Sequence, residues 1–144
     1  NLLKDKINNF GHIVYKKIII KDDLDLIKKT ISDLTNDTKI DAIITTGGTG
    51  LTGRDSTPEA IIEMADKIID GFGELFRQLS YEKIGTSTIQ SRALAGVINN
   101  TYIFSLPGSP GACKDGWDLI LKYQLDIRHK PCNFIEIMPR LKEK

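Results

Sequence analysis

The sequence predicts an α/β fold: a three-layer sandwich with a mostly parallel sheet and one antiparallel hairpin. Short β-branched apolar runs alternate with helix-length segments that carry apolar residues every three or four positions. One of these runs, Asp41–Thr46, is apolar almost throughout, which is typical of a parallel strand buried on both faces. The dipeptide Asn99-Asn100 separates two further apolar runs and indicates a tight hairpin turn.

The composition predicts a single globular domain over residues 1–144. Its hydrophobic content of 40% and charged content of 27% are ordinary for a folded domain of this length. A net charge of +1 provides no basic field for nucleic acid, and no apolar run approaches membrane-spanning length. Two cysteines are too few for a disulfide framework. We therefore expect a cytoplasmic protein with reduced thiols that binds neither nucleic acid nor membranes.

The first half of the chain is expected to alternate helices and strands. Residues 2–9 resemble the end of a helix, with Gly11 as its stop, and a strand is expected at Ile13–Ile20. The later elements are a helix with Leu24, Ile27, Ile31 and Leu34 on one face, the strand Asp41–Thr46, and a helix Pro58–Ile69 capped by Thr57. Domains of this class usually open with a strand, so we expect an N-terminal strand and loop to be missing.

The second half is expected to begin with two helices. A short one contains Leu75, Phe76 and Leu79, and a second covers Ser87–Leu94. The hairpin strands are Ala95–Ile98 and Thr101–Leu106. A loop at 107–111 then leads into a helix that carries Trp117, Ile120, Leu121 and Leu125.

A glycine-rich loop follows the strand Asp41–Thr46, within the run DAIITTGGTGLTGRDSTP. Its four glycines, at positions 47, 48, 50 and 53, permit positive φ angles and bring backbone N–H groups close to a ligand, most often a phosphate. The run contains G-x-G-x-x-G, but four residues separate it from the next helix, unlike a dinucleotide-binding loop. No Gly-Lys-Ser/Thr closes it, so it is not a Walker A loop.

Aspartates stand near this loop and after an earlier predicted strand. Asp55 has two interpretations: it caps the nearby helix, or it joins a phosphate through Mg²⁺, which binds one or two carboxylates plus substrate oxygens. Asp22 and Asp23 offer the same choice. Because ligands bind outside the C-terminal strand ends of open α/β sheets, Asp22 and Asp55 are expected on one crevice.

Other polar groups are weaker candidates. Ser109 either caps the helix that opens at Pro110 or leaves free N–H groups aimed at an anion. Ser91 and Arg92 suit a phosphate, or else form a solvated helix face. Arg77 is expected to pair with Glu74, and Cys113 to be a packing residue.

Four ordered motifs resemble the MoaB/MogA family of molybdenum-cofactor biosynthesis proteins, with the closer likeness to its MoaB branch. They are TTGGTGLTGRDSTPEA (45–60), GFGE (71–74), SRA (91–93) and LPGSP (106–110). The resemblance implies a molybdopterin-binding fold and a homotrimer or hexamer. It also implies that molybdopterin is bound and that its phosphate is adenylylated with Mg-ATP, releasing pyrophosphate. The alternative is a non-catalytic protein that binds molybdopterin or a partner of the same pathway.

The resemblance assigns roles to individual residues. Asp55 matches the essential acid of the glycine-loop signature, and Asp22 matches the acid after the second family strand; together they are expected to hold Mg²⁺. The remaining ligand contacts are expected from the first loop (Thr46, Gly47, Gly48, Thr49, Gly50) and from the second (Pro107, Gly108, Ser109), with Ser91 and Arg92 as candidate phosphate ligands.

Overall fold

The computed structural model describes residues 2–143, in which a four-stranded sheet lies between two layers of helices. Eleven helices and strands occur in that range, together with 3₁₀ turns at Gly85–Gln90 and Met138–Arg140. A π-helical turn at Trp117–Leu121 joins α5 to α6. The elements are α1 (Leu2–Asn9), α2 (Leu24–Thr35), β1 (Ala42–Thr46), α3 (Thr57–Met64), β2 (Lys67–Ile68), α4 (Asp70–Ile84), β3 (Leu94–Ile98), β4 (Thr101–Leu106), α5 (Pro110–Gly116), α6 (Lys122–Gln124) and α7 (Phe134–Ile137).

The strand order is β1-β4-β3-β2. β1 pairs with β4 in parallel, whereas β3 is antiparallel to both of its neighbours, so three of the four described strands run in one direction. Asn99 and Asn100 join β3 to β4 with φ angles of 48° and 66°, as a tight hairpin turn of primed type requires. The predicted fold class and its hairpin are confirmed.

Strand alternation divides the core into two clusters, one on each face of the sheet. Tyr102, Phe104 and Leu106 of β4 belong to the larger cluster, under α4 and the helical segment 110–125. Ile103 points the other way, into a smaller cluster formed with α2 and α3. The three-layer sandwich follows from this alternation, since each face of the sheet buries its own row of side chains.

The expected strand Ile13–Ile20 does not form. This segment has no β-ladder partner and runs along one wall of an open groove of about 1180 Å³. β1 also lines this groove, but no β-ladder joins it to residues 13–20. β1 is therefore an edge strand of the described sheet, and Ile43 is its one buried residue rather than part of a strand buried on both faces.

The region between α3 and β3 also differs from expectation. α3 ends at Met64 instead of Ile69, because Ala65 is extended (ψ 135°) and β2 pairs with β3. Its N-cap is Ser56, without a side-chain cap bond, and Thr57 is its first residue. The expected helix Ser87–Leu94 is a 3₁₀ turn followed by an extended segment that enters β3. Tertiary pairing overrides local helix propensity at these positions.

The second half of the chain otherwise follows the prediction. α4 contains the predicted short helix but extends over fifteen residues, and α5 begins at Pro110 as expected. Within residues 2–143, no helix combines the length and the apolar character that crossing a membrane requires.

Candidate functional site

Two glycine-bearing loops meet at one edge of the sheet. The first follows β1 and the second follows β4; since these strands are parallel neighbours, both loops leave the sheet at the same end. The backbone N–H of Gly47 donates to the carbonyl of Leu106 at 2.9 Å. A Cβ placed on Gly108 would lie 3.3 Å from the Cα of Gly47, so the two backbones approach closely. The predicted cradle therefore consists of two adjoining loops.

The first loop needs glycine for its conformation. Gly47 and Gly48 have φ angles of 89° and 73°, a region that side chains disfavour. A Cβ on Gly48 would also lie 2.5 Å from the Oγ1 of Thr57, at the start of α3. The loop thus turns sharply into α3 while its backbone stays accessible.

Asp55 is held by its own loop and does not cap α3. Its Oδ2 accepts hydrogen bonds from the hydroxyl of Thr52 at 2.7 Å and from the N–H of Thr52 at 2.9 Å. These hydrogen bonds hold the pKa of the Asp55 carboxyl below its usual value, so it is ionised at neutral pH. A Cβ on Gly50 would lie 2.7 Å from Oδ2, so glycine leaves the room that this carboxylate occupies. The capping interpretation of Asp55 is therefore wrong.

The adjacent aspartates 22 and 23 have different roles. Asp23 caps α2, because its Oδ1 accepts a hydrogen bond from the N–H of Leu26 at 2.9 Å. Asp22 is exposed and lies on the wall of the open groove, which Gly47 and Gly108 also line. Asp55 is not among the residues that line this groove, and the strand expected to place Asp22 does not form. The expected position of Asp22 and Asp55 on one crevice therefore stays a prediction.

The second loop contains a side-chain cap. Ser109 accepts a hydrogen bond from the N–H of Ala112 at 3.2 Å, and Pro110 is the first residue of α5. The carbonyl of Pro107 accepts a hydrogen bond from the thiol of Cys113 at 3.4 Å. Burial raises the pKa of that thiol, so Cys113 is the neutral packing residue that the sequence predicted.

Replacing Ser109 by Ala is expected to lower the free energy of unfolding by about 0.5–2 kcal/mol, because the variant loses the α5 cap. Urea denaturation of the parent and the variant measures the difference. Ser109→Asn is the matched control, since Asn caps a helix about as well as Ser. Equal stability of the parent and the Ala variant would show that the cap contributes nothing.

The two threonines of the first loop have different exposures. Thr46 is exposed at the end of β1 and lines the groove, whereas Thr49 is buried. The carbonyl of Thr49 accepts a hydrogen bond from the backbone N–H of Arg92 at 3.1 Å. Thr46 is therefore placed where its hydroxyl reaches the groove, while Thr49 is enclosed by protein.

Arg92 contacts the glycine loop. Its Nε donates to the carbonyl of Gly50 and its Nη2 to the carbonyl of Asp55, each at 2.8 Å, and its Nη1 pairs with Glu59 at 2.8 Å. Ser91 lies beside it in an extended segment, where its hydroxyl accepts a hydrogen bond from the N–H of Ala93 at 3.4 Å. Both residues lie between the 3₁₀ turn and β3 rather than on the expected helix. The suggested role of these residues as phosphate ligands stays a prediction.

Sequence reasoning missed three groups that shape the site. Thr52 donates two hydrogen bonds to the Asp55 carboxylate, and Glu59 forms an ion pair with Arg92. Arg77 donates to the carbonyl of Ala93 at 2.8 Å, and the expected pairing of Arg77 with Glu74 is not among the ion pairs of the described residues. The contacts of Arg92 and Arg77 join residues 14 to 42 positions apart, so no local spacing predicts them.

This geometry agrees with comparisons against known proteins. Residues 1–127 match a family model described as "Probable molybdopterin binding domain". The chain belongs to this molybdopterin-binding family. The family's MoaB members are among the relatives found, which confirms the resemblance seen in the sequence.

Individual members of the family are similar over most of the chain. Molybdenum cofactor biosynthesis protein B of Escherichia coli (strain K12) is 47% identical over 132 residues, which cover 92% of this chain and 78% of that protein. A crystal structure of a Molybdenum cofactor biosynthesis protein B superposes with a TM-score of 0.83 at 40% identity, over 86% of this chain and 78% of that one. The tungsten cofactor synthesizing protein MoaB from Pyrococcus furiosus gives a TM-score of 0.73 at 39% identity, over 83% and 76% of the two chains.

Proposed function

We propose that this protein binds molybdopterin and adenylylates its phosphate with Mg-ATP. The observation that carries the proposal is the meeting of two glycine-bearing loops at one sheet edge, with the ionised Asp55 in the first loop and Asp22 on the adjoining groove wall. Membership of the molybdopterin-binding family supplies the class of ligand and a role in molybdenum-cofactor biosynthesis.

In the proposed reaction, an oxygen of the molybdopterin phosphate attacks the α-phosphorus of ATP. The bond from that phosphorus to the bridging oxygen of the β-phosphate breaks, and pyrophosphate leaves. Such transfers need positioning and charge stabilisation rather than covalent catalysis by the protein. Backbone N–H groups of the turn Gly48–Gly50 and the hydroxyl of Thr46 are proposed to hold the charged groups, with the loop Pro107, Gly108 and Ser109 as the second contact. The expected contacts from the Gly47 N–H and the Thr49 hydroxyl are not proposed, because the first donates to Leu106 and the second residue is buried.

The candidate ligands of this site are carboxylate oxygens, the ligand type that Mg²⁺ prefers. Asp55 and Asp22 offer these oxygens, and Mg²⁺ usually binds one or two carboxylates together with substrate phosphates and water. No group of three or more His, Cys, Asp or Glu side chains suited to a metal occurs among residues 2–143. A cation shared with the phosphates of the substrate therefore fits this site better than a cage built from protein alone. Bound Mg²⁺ neutralises charge that develops on the phosphates.

The alternative is a protein that binds molybdopterin, or scaffolds the pathway, without catalysis. Relatives from Escherichia coli and Staphylococcus epidermidis are both named Molybdenum cofactor biosynthesis protein B, a name that states no reaction. Incubation with molybdopterin, Mg²⁺ and ATP, followed by mass detection of the adenylylated pterin, distinguishes the two proposals. We expect product; binding of molybdopterin without product would establish the carrier instead.

We also propose a homotrimer or a hexamer. Several large apolar side chains are exposed on the described surface, among them Leu51, Ile62 and Ile89. Exposed apolar side chains of this kind are often covered in oligomers. Light scattering coupled to size-exclusion chromatography measures the state, and a monomer at micromolar concentration would exclude it.

A further inference from the structure

We propose that Arg92 is a positioning residue that holds the glycine loop and Asp55 in place, an inference that rests on the proposed function. The guanidinium bridges the carbonyls of Gly50 and Asp55. These two residues stand on either side of the exposed loop tip at 51–54, so one side chain ties both ends of the tip together.

The first support is the way in which Arg92 uses its nitrogens. Nε, Nη1 and Nη2 each donate to a protein oxygen, and the backbone N–H of the same residue donates to Thr49. A planar guanidinium presents several donors in a rigid fork, whereas the lysine ammonium is a compact point charge. Bridging two carbonyls therefore depends on the fork and not on the charge alone.

The second support is that hydrogen bonds from α4 hold the backbone on both sides of Arg92. Arg77 of α4 donates through its Nη1 to the carbonyls of Ala93 at 2.8 Å and Ser91 at 3.4 Å. The hydroxyl of Thr88 in turn donates to the carbonyl of Arg77 at 3.0 Å. α4 approaches this segment through Gly73, where a Cβ would lie 2.5 Å from the Ala93 carbonyl oxygen. The residues on either side of Arg92 are thus anchored to α4.

The third support is that the loop's own contacts are local. Residues 51–54 are exposed, and the loop closes on itself through the bonds between Thr52 and Asp55 and through the N–H of Thr57, which donates to Gly48 at 3.3 Å. β1 and β3 are separated by β4 in the sheet, so Arg92 provides a link between the β1 loop and β3 that strand pairing does not. Thr52 holds the Asp55 carboxylate within the loop, and Arg92 ties the loop backbone at Asp55 to the segment that enters β3.

Hydrogen exchange measured by mass spectrometry tests the proposal without ligand. We expect Arg92→Lys and Arg92→Met to raise the exchange rate of the hydrogen-bonded amides of Thr52 and Asp55 by about 10-fold or more, while amides of β4 keep the parent rate. Arg128→Lys is the matched control, because Arg128 is exposed and pairs with Asp126 away from the loop. Glu59→Gln should have a smaller effect, since an exposed ion pair contributes little.

A second measurement separates positioning from direct ligand contact. Trypsin cleavage after Arg54 reports loop opening, and we expect it to be faster in Arg92→Lys than in the parent. If exchange and cleavage stay at parent values in both Arg92 variants while molybdopterin affinity falls, Arg92 contacts the ligand and the positioning role is overturned. If the parent protein forms no adenylylated product, the proposed catalytic function is refuted. The positioning role of Arg92 is still decided by hydrogen exchange and trypsin cleavage, because neither measurement needs the ligand.

Discussion

Asp55→Asn is expected to lower the rate of adenylylated-molybdopterin formation on the order of 10²-fold or more. The substitution removes the negative charge proposed to hold Mg²⁺ against the phosphates. It keeps the shape of the side chain and one acceptor oxygen, so Thr52 retains a hydrogen-bond partner and the loop keeps its fold. Initial rates from mass detection of the product, at saturating ATP and Mg²⁺, measure the effect.

Asp33→Asn provides the matched control for this experiment. Asp33 lies on α2, is largely exposed and pairs with Lys29 four residues earlier. That pair contributes about 0.3–0.5 kcal/mol, so the variant should keep both the fold and the parent rate. Product formation by Asp55→Asn at the parent rate would refute the metal-holding role of Asp55.

Phe104→Ala is expected to lower the free energy of unfolding by about 3–5 kcal/mol. Phe104 is fully buried at the centre of the sheet, with ring centroids 5.3 Å from Phe72 and 5.5 Å from Phe134. Truncation removes contacts to α4 and α7 at once and leaves a cavity that surrounding helices fill only in part. A loss of this size is a large share of the stability of a small domain.

Urea denaturation monitored by circular dichroism measures that loss. Tyr81→Ala is the aromatic control, because Tyr81 lies on α4 with 57% of its surface exposed. We expect it to change stability by no more than about 0.5 kcal/mol. Similar losses in the free energy of unfolding of both variants would mean that packing around Phe104 does not stabilise the core more than an exposed aromatic side chain does.

Local chemistry explains which parts of the fold were predictable. The Asn99-Asn100 turn, the Ser109-Pro110 helix start and the Gly47-Gly48 turn each depend on backbone preferences of one or two residues. The failed predictions concern segments whose state depends on distant partners. Residues 13–20 have strand composition but no partner strand, and residues 65–69 leave the helix because β2 pairs with β3.

The site divides in the same way. The glycine positions and the presence of Asp55 follow from the sequence, because the φ angles and the carboxylate belong to individual residues. Only the tertiary structure decided that Asp23 caps α2 while Asp22 lines the groove, that Gly47 meets Gly108, and that Arg92 holds the loop. Strand order and helix packing create these contacts between residues tens of positions apart, and no spacing along the chain encodes them.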